Sequence, residues 1–280
     1  MMTRNETGEF QGSAGRVFWQ AWLPEGEPRA VAVIVHGYAE HSGRYAHVAE
    51  RLNDAGVAAY ALDHTGHGRS EGGKANVVSL DGAADNVRSL LDIAAREHPG
   101  LPRFVIGHSM GGLTVAYLAT RAPLDVAGVV LSGPAIVVDA GNAVQRLFAP
   151  IVSKLAPTLP VVKLDSKLVS RDPEVVRAYD TDPLVYHGGV PARTAAEMLR
   201  AGTYVLSHLN QLTAPLLVQH GAADGLASPE GADLLERDAA SKDKTVIRYD
   251  GLFHEIYNEP EQDKVITDLV NWLDAHIASA

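Results

Sequence analysis

The 280-residue chain contains no cysteine. Disulfides, thiolate metal ligands and a cysteine nucleophile are therefore excluded, leaving hydroxyl, imidazole and carboxylate groups for any covalent chemistry. Basic residues are in the minority: 24 Lys and Arg stand against 34 Asp and Glu, a formal net charge of -10. Such a balance argues against nucleic acid as a partner and against a polybasic membrane patch, though not against apolar contact with lipid. No apolar run approaches the ~20 residues that span a bilayer. The first residues, Met1-Met2-Thr3-Arg4-Asn5-Glu6, lack the apolar core of a secretion signal. The expected location is the cytoplasm. No repeat, low-complexity tract or long charge block interrupts the pattern, and 46% hydrophobic residues suffice for a sizeable core.

What the chain does contain is an alternation of short apolar runs with amphipathic stretches. Residues 16–23 predict an early strand or hairpin from partly alternating aromatic and β-branched residues. Strands are predicted at 30–35, 57–62, 104–106, 126–131, 215–220 and 245–249, with helices near 45–55, 80–95, 113–119, 229–238 and 261–277. Strands spaced this way by helices build βαβ units, hence an α/β fold with a mostly parallel sheet. Between about residues 135 and 212 the rhythm fails. Pro150, Pro157, Pro160, Pro173, Pro183 and Pro191 break the segment into helices and loops. The expected organisation is a core formed by residues 1–134 and 213–280, with residues 135–212 inserted after the sixth strand as a helical cap. Val144, Leu147, Phe148, Ile151, Val152 and Leu155 recur there at helical spacing. Packing inside the cap is the expected use of that stripe, and a partly exposed rim that meets lipid is the sharper alternative.

The chemistry centres on Phe104-Val105-Ile106-Gly107-His108-Ser109-Met110-Gly111-Gly112. A run of β-formers ending in Gly-x-Ser-x-Gly, followed by a helical pattern, is the context of a nucleophile elbow. A serine hydroxyl needs an adjacent base, and the base needs an orienting carboxylate. Of twelve histidines, His254 follows the last strand directly. His108 adjoins the serine but is expected to pack beneath the turn. His64 and His67, near His36 and His41, lack acidic residues at metal-ligand spacing, so loop hydrogen bonding is expected of them and no metal. Asp224 follows the strand that ends at His220; Asp63 also ends a strand but precedes the serine. The order Ser109, Asp224, His254 is that of α/β-hydrolases. The backbone N–H groups of Met110 and Tyr38 are the candidate oxyanion donors.

Four segments carry a more specific resemblance: His36-Gly37-Tyr38-Ala39-Glu40-His41-Ser42-Gly43-Arg44-Tyr45, Asp63-His64-Thr65-Gly66-His67-Gly68-Arg69-Ser70, Gly107-His108-Ser109-Met110-Gly111-Gly112, and His254-Glu255-Ile256-Tyr257-Asn258-Glu259-Pro260. With Ser170–Val176 and Asp182–Val185 in the inserted segment, the chain resembles bacterial monoacylglycerol lipases over nearly its whole length. The resemblance implies an α/β-hydrolase that cleaves monoacylglycerol to fatty acid and glycerol through an acyl-enzyme, without a cofactor. It implies a lipid ester substrate and places Glu40 and Arg44 near the glycerol end of the pocket, where they could equally be a salt bridge holding the oxyanion loop. Thr65 stands where many members carry Arg, and Gly225-Leu226-Ala227-Ser228 is smaller and more polar than usual. A lysophospholipase, a short-chain carboxylesterase and a ligand-binding protein on the same fold stay open as alternatives.

Overall fold

The computed structural model describes residues 4–138 and 151–278. Strands β1 (Arg4–Gly12) and β2 (Gly15–Leu23) form an antiparallel hairpin, turned at Gly15 with φ 121°. The pattern predicted a strand only for the second arm. β1 is an edge strand with no fully buried residue, so burial imposes little apolar alternation on its sequence. Then come β3 (Ala30–Val35), helix α1 (Ala46–Asp54), β4 (Val57–Leu62), α2 (Leu80–Glu97), β5 (Arg103–His108), α3 (Met110–Arg121) and β6 (Gly128–Ser132). A short antiparallel pair, the exposed β7 (Pro160–Val162) and the buried β8 (Val190–Pro191), brackets α4 (Pro173–Thr181), and α5 (Ala192–Ser207) follows. The chain closes with β9 (Leu216–Gly221), α6 (Glu230–Asp238), β10 (Lys244–Tyr249) and α7 (Gln262–Ile277).

Eight strands form one sheet in the order β1-β2-β4-β3-β5-β6-β9-β10. From β4 to β10 every pairing is parallel, and β2 joins β4 antiparallel. Parallel strands covered on both faces read as unbroken apolar runs, which is why Ala30–Val35 and Val57–Leu62 are buried at every position. Within β3 the side chains still alternate. Val31, Val33 and Val35 join one core cluster with Leu90 of α2 and Leu113 of α3, while Ala32 and Ile34 join the other with Leu52 of α1 and Leu269 of α7. All six parallel strands therefore end along one edge, where an open α/β sheet presents its site.

The segment between β6 and β9 is tied to the loops at that edge. Tyr186 N–H donates to the Ala39 carbonyl (2.8 Å), and Glu255 N–H to the Val169 carbonyl (2.8 Å). His41 pairs with Asp182 at 2.9 Å, and Arg171 pairs with Glu259 and Glu261. Of the predicted apolar stripe, Val144, Leu147, Phe148 and also Pro150 lie outside the described residues. Ile151 and Leu155 are exposed, and Val152 is half-buried. No helix among the described residues is long and apolar enough to cross a membrane.

Close packing of α7 on the sheet depends on one small residue. A Cβ at Gly128 would overlap the Trp272 ring, itself nearly buried against Phe104. Gly128→Ala should cost about 1–3 kcal/mol through overpacking. Urea unfolding checks this, and an unchanged midpoint would show that the indole moves aside freely.

Candidate active site

Ser109, Asp224 and His254 follow β5, β9 and β10, three parallel strands, and so emerge along one edge. Ser109 sits between β5 and α3 at φ 52°, ψ -118°, in backbone space that a serine adopts only under constraint. The constraint is visible in its neighbours. Ser109 N–H donates to the Ser132 carbonyl of β6 (3.0 Å), and its own carbonyl accepts from Leu113 and Ala135 (2.9 and 3.1 Å). A Cβ at Gly107 would lie 2.5 Å from the Gly111 carbonyl oxygen, and one at Gly111 would overlap the Val35 carbonyl. Only glycine lets strand, turn and helix approach this closely.

His254 is buried, with Nδ1 2.7 Å from Asp224 Oδ2. Asp224 Oδ1 accepts from the N–H groups of Leu226 and Ala227 (2.8 and 2.9 Å). Burial acts against the ionised form of Asp224, but hydrogen bonds from His220 and His254 and the charge of His254 outweigh it and hold the carboxyl well below its usual range. The imidazole shifts the opposite way. Burial would lower the pKa of His254, but the Asp224 hydrogen bond and charge, then Glu255 and Glu40, raise it above the ordinary value. Serine, imidazole and carboxylate at one site have the capacity for nucleophilic acyl transfer.

The competing residues have other partners. Asp63 accepts from Ser42 N–H at Oδ1 and from Arg69 N–H at Oδ2, each at 2.8 Å, and so ties two loops together. His108 is buried, its ring centroid 4.7 Å from that of His254 and its Nδ1 3.1 Å from the Ser132 carbonyl, and it borders the cavity over the serine instead of packing wholly beneath the turn. His36 Nε2 accepts from His64 N–H at 2.9 Å, and His67 Nδ1 lies 3.1 Å from the Thr65 carbonyl. Burial, reinforced by neighbouring imidazoles, pushes His64 and His108 down to about 3. Burial alone takes His67 to about 4, and His36 also falls well below the ordinary value.

A cavity of about 260 Å³ opens over the serine. Tyr38, Ser109, His254 and Glu40 line it from the sheet side, and Leu164 and Tyr179 from the segment above. Met110 begins α3, where the first N–H groups have no partner within the helix and favour negative charge. Glu40 Oε1 accepts from Gly37 N–H and from the Tyr45 hydroxyl, both at 2.7 Å. Arg44 is not among the described residues that line the cavity. It lies behind Glu40, bonding Glu40 Oε2 at 2.9 Å and gripping Glu255 with both terminal nitrogens at 2.6 and 2.7 Å. Its guanidinium also stacks over Tyr179 at 4.9 Å. Burial raises the Glu40 pKa despite Arg44. In Glu255 burial is overcome by the charge and hydrogen bonds of Arg44, and the pKa falls. Glu255 and His220 were not singled out from sequence; their adjacency to His254 and to the β9 turn was the available signal.

Over residues 26–261 the chain matches the family described as serine aminopeptidase, S33. A monoacylglycerol lipase of Mycolicibacterium smegmatis is 46% identical over 277 residues, covering 98% of this chain and 99% of that protein. A monoglyceride lipase of Homo sapiens is 34% identical over 268 residues, covering 94% and 88%. The crystal structure of a Paleococcus ferrophilus monoacylglycerol lipase superposes with a TM-score of 0.82 at 32% identity, covering 99% and 100%.

Arg44 neutralises two buried carboxylates, so its loss leaves like charges facing each other. Arg44→Met should cost about 3–5 kcal/mol in urea unfolding, and adding Glu255→Gln should recover part of that loss. A single-variant loss below about 1 kcal/mol would show that the cluster relaxes into solvent. Acid stability provides a second check. The unfolded chain protonates His36, His64, His67 and His108 near 6.5, whereas the folded chain holds them neutral to far lower pH. Their contribution is complete above about pH 6.5 and is lost as pH falls toward 4 and 3, at about 1.4 kcal/mol per pH unit for each proton. His254, with a raised value, works in the opposite sense: its contribution is present below 6.5 and lost as pH rises through its folded value. Below pH 6.5 the His254 contribution is already complete and only the four others change, so urea midpoints should drop between pH 6.5 and 4. A flat profile would contradict neutral burial of the four.

Proposed function

Because the chain belongs to the monoacylglycerol lipases of the serine aminopeptidase S33 family, we propose that it hydrolyses monoacylglycerols to fatty acid and glycerol. The observation that carries the reading is that the constrained Ser109 lines the same cavity as His254, whose Nδ1 lies 2.7 Å from Asp224 Oδ2. Ser109 attacks the ester carbonyl as His254 takes its proton, and the N–H groups of Met110 and Tyr38 hold the oxyanion. His254 then protonates the departing glycerol oxygen and later draws a proton from water, whose attack releases the fatty acid. Asp224 fixes the imidazole tautomer and stabilises the imidazolium. None of these steps calls on a cofactor.

Residues 135–212 act in this reading as a helical cap. Leu164, which lines the cavity, continues an exposed apolar stretch through Val162, Val161, Leu159 and Leu155. That stretch receives the acyl chain and meets lipid aggregates peripherally. Glu40, on the cavity wall, faces the glycerol end, with Arg44 acting through it rather than touching substrate.

The test is turnover on a monoacylglycerol, a lysophospholipid, a short nitrophenyl ester and an aminoacyl arylamide, with wild type beside Ser109→Ala. Wild type should prefer the monoacylglycerol, and Ser109→Ala should lose at least ~10³-fold. Preference for lysophospholipid or short esters would keep the triad and discard the substrate, and preference for the arylamide would point to peptidase chemistry. Full activity in Ser109→Ala would remove the proposed nucleophile.

A further inference from the structure

Asp224 accepts four hydrogen bonds, two on each oxygen. Oδ1 is taken by the backbone N–H groups of Leu226 and Ala227, and Oδ2 by His254 Nδ1 at 2.7 Å and His220 Nε2 at 3.0 Å. Two imidazoles thus share one carboxylate oxygen. His220 lies at the end of β9, fully buried. The other neighbour of its Nε2 is the Ala227 carbonyl at 3.3 Å, also an acceptor, so Nε2 must carry the proton. Nδ1 of the same ring is buried and has no hydrogen-bond partner among the described residues. A leucine or phenylalanine would fill this site without an unsatisfied nitrogen. The ring is oriented by Asp224, and core packing does not account for a histidine here.

We infer that His220 is a positioning residue: its Nε2–H, with the N–H groups of Leu226 and Ala227, locks the Asp224 carboxylate in the orientation that His254 requires. The inference rests on the reading of Asp224 and His254 as the pair that serves Ser109. With both oxygens anchored, the carboxylate cannot rotate away from His254 Nδ1. The second donor on Oδ2 also draws off part of the negative charge that would otherwise fall on His254 alone. His254 is therefore a more moderate base than its nearest partner by itself would make it. Other charged or titratable groups face it from the neighbouring elements: His108 from the end of β5, Glu255 beside it, and Glu40 from the loop after β3, with Arg44 behind both carboxylates. His220→Leu leaves all of these in place.

The experiment measures kcat/KM against pH on a short nitrophenyl ester for wild type, His220→Leu and His220→Gln, with Ser109→Ala as control. His220→Leu should move the acid limb at least half a unit to higher pH. It should also lower kcat about tenfold, a fraction of the roughly 10²–10⁴ that a positioned acid–base pair contributes. His220→Gln, whose amide nitrogen can replace the Nε2 donor, should return the limb to within 0.2 unit or so of wild type. If His220→Leu does not fold, His220→Phe keeps the ring volume without the donor and replaces it. An acid limb that stays put or moves down, with Ser109-dependent turnover intact, overturns the role of His220 alone. Turnover retained in Ser109→Ala overturns the underlying reading of the site as well.

Discussion

The backbone of Ser109 is the constraint on which the rest of the site depends. A serine at φ 52°, ψ -118° is strained by about 1–3 kcal/mol, and nothing within a pentapeptide would hold it there. What holds it is the sheet. β6 accepts its N–H at Ser132, α3 starts from it without a break, and Gly111 lies under the carbonyl oxygens of Val35 and His36 at the end of β3. Moving any of these strands would release the turn, so the core that buries β3, β5 and β6 also fixes the proposed nucleophile.

Electrostatic order around the serine follows from the same edge. Parallel strands bring His36, Asp63, His108, Asp224 and His254 to one end of the sheet, and all five are buried there. Crowding so many titratable groups is tolerated because each has a role in hydrogen bonding. Asp63 ties loops, the flanking histidines stay neutral, and Arg44 holds Glu40 and Glu255 together. Glu40 in turn accepts Gly37 N–H, so a charge cluster behind the cavity also shapes the loop that carries Tyr38. Glu40 and Arg44 do form a salt bridge, and it is joined to the loop through Gly37.

Directed contacts join the upper wall of the cavity to the loops below it. Tyr186 to Ala39, Asp182 to His41, Val169 to Glu255 and Arg171 to Glu259 reach the loops that bear the proposed oxyanion donor and base. Displacing this wall would thus be felt at both loops.

Sequence alone pointed to most of the parallel sheet and its flanking helices, to the elbow, and to Ser109, Asp224 and His254 as the candidate triad, because each rests on a local pattern. Apolar runs write buried parallel strands directly, glycines mark the tight turn, and strand ends in a parallel sheet share one edge. Polar β1 escaped that reading, since an edge strand with one wet face leaves little apolar signature. Only the tertiary structure decided that Arg44 sits behind Glu40 instead of in the cavity, that Glu255 is its second partner, and that His220 shares Oδ2 with His254. These are contacts between residues up to 211 positions apart, or between turn residues whose ring orientation depends on packing. Burial and hydrogen-bond geometry, which set them, exist only once the strands are side by side.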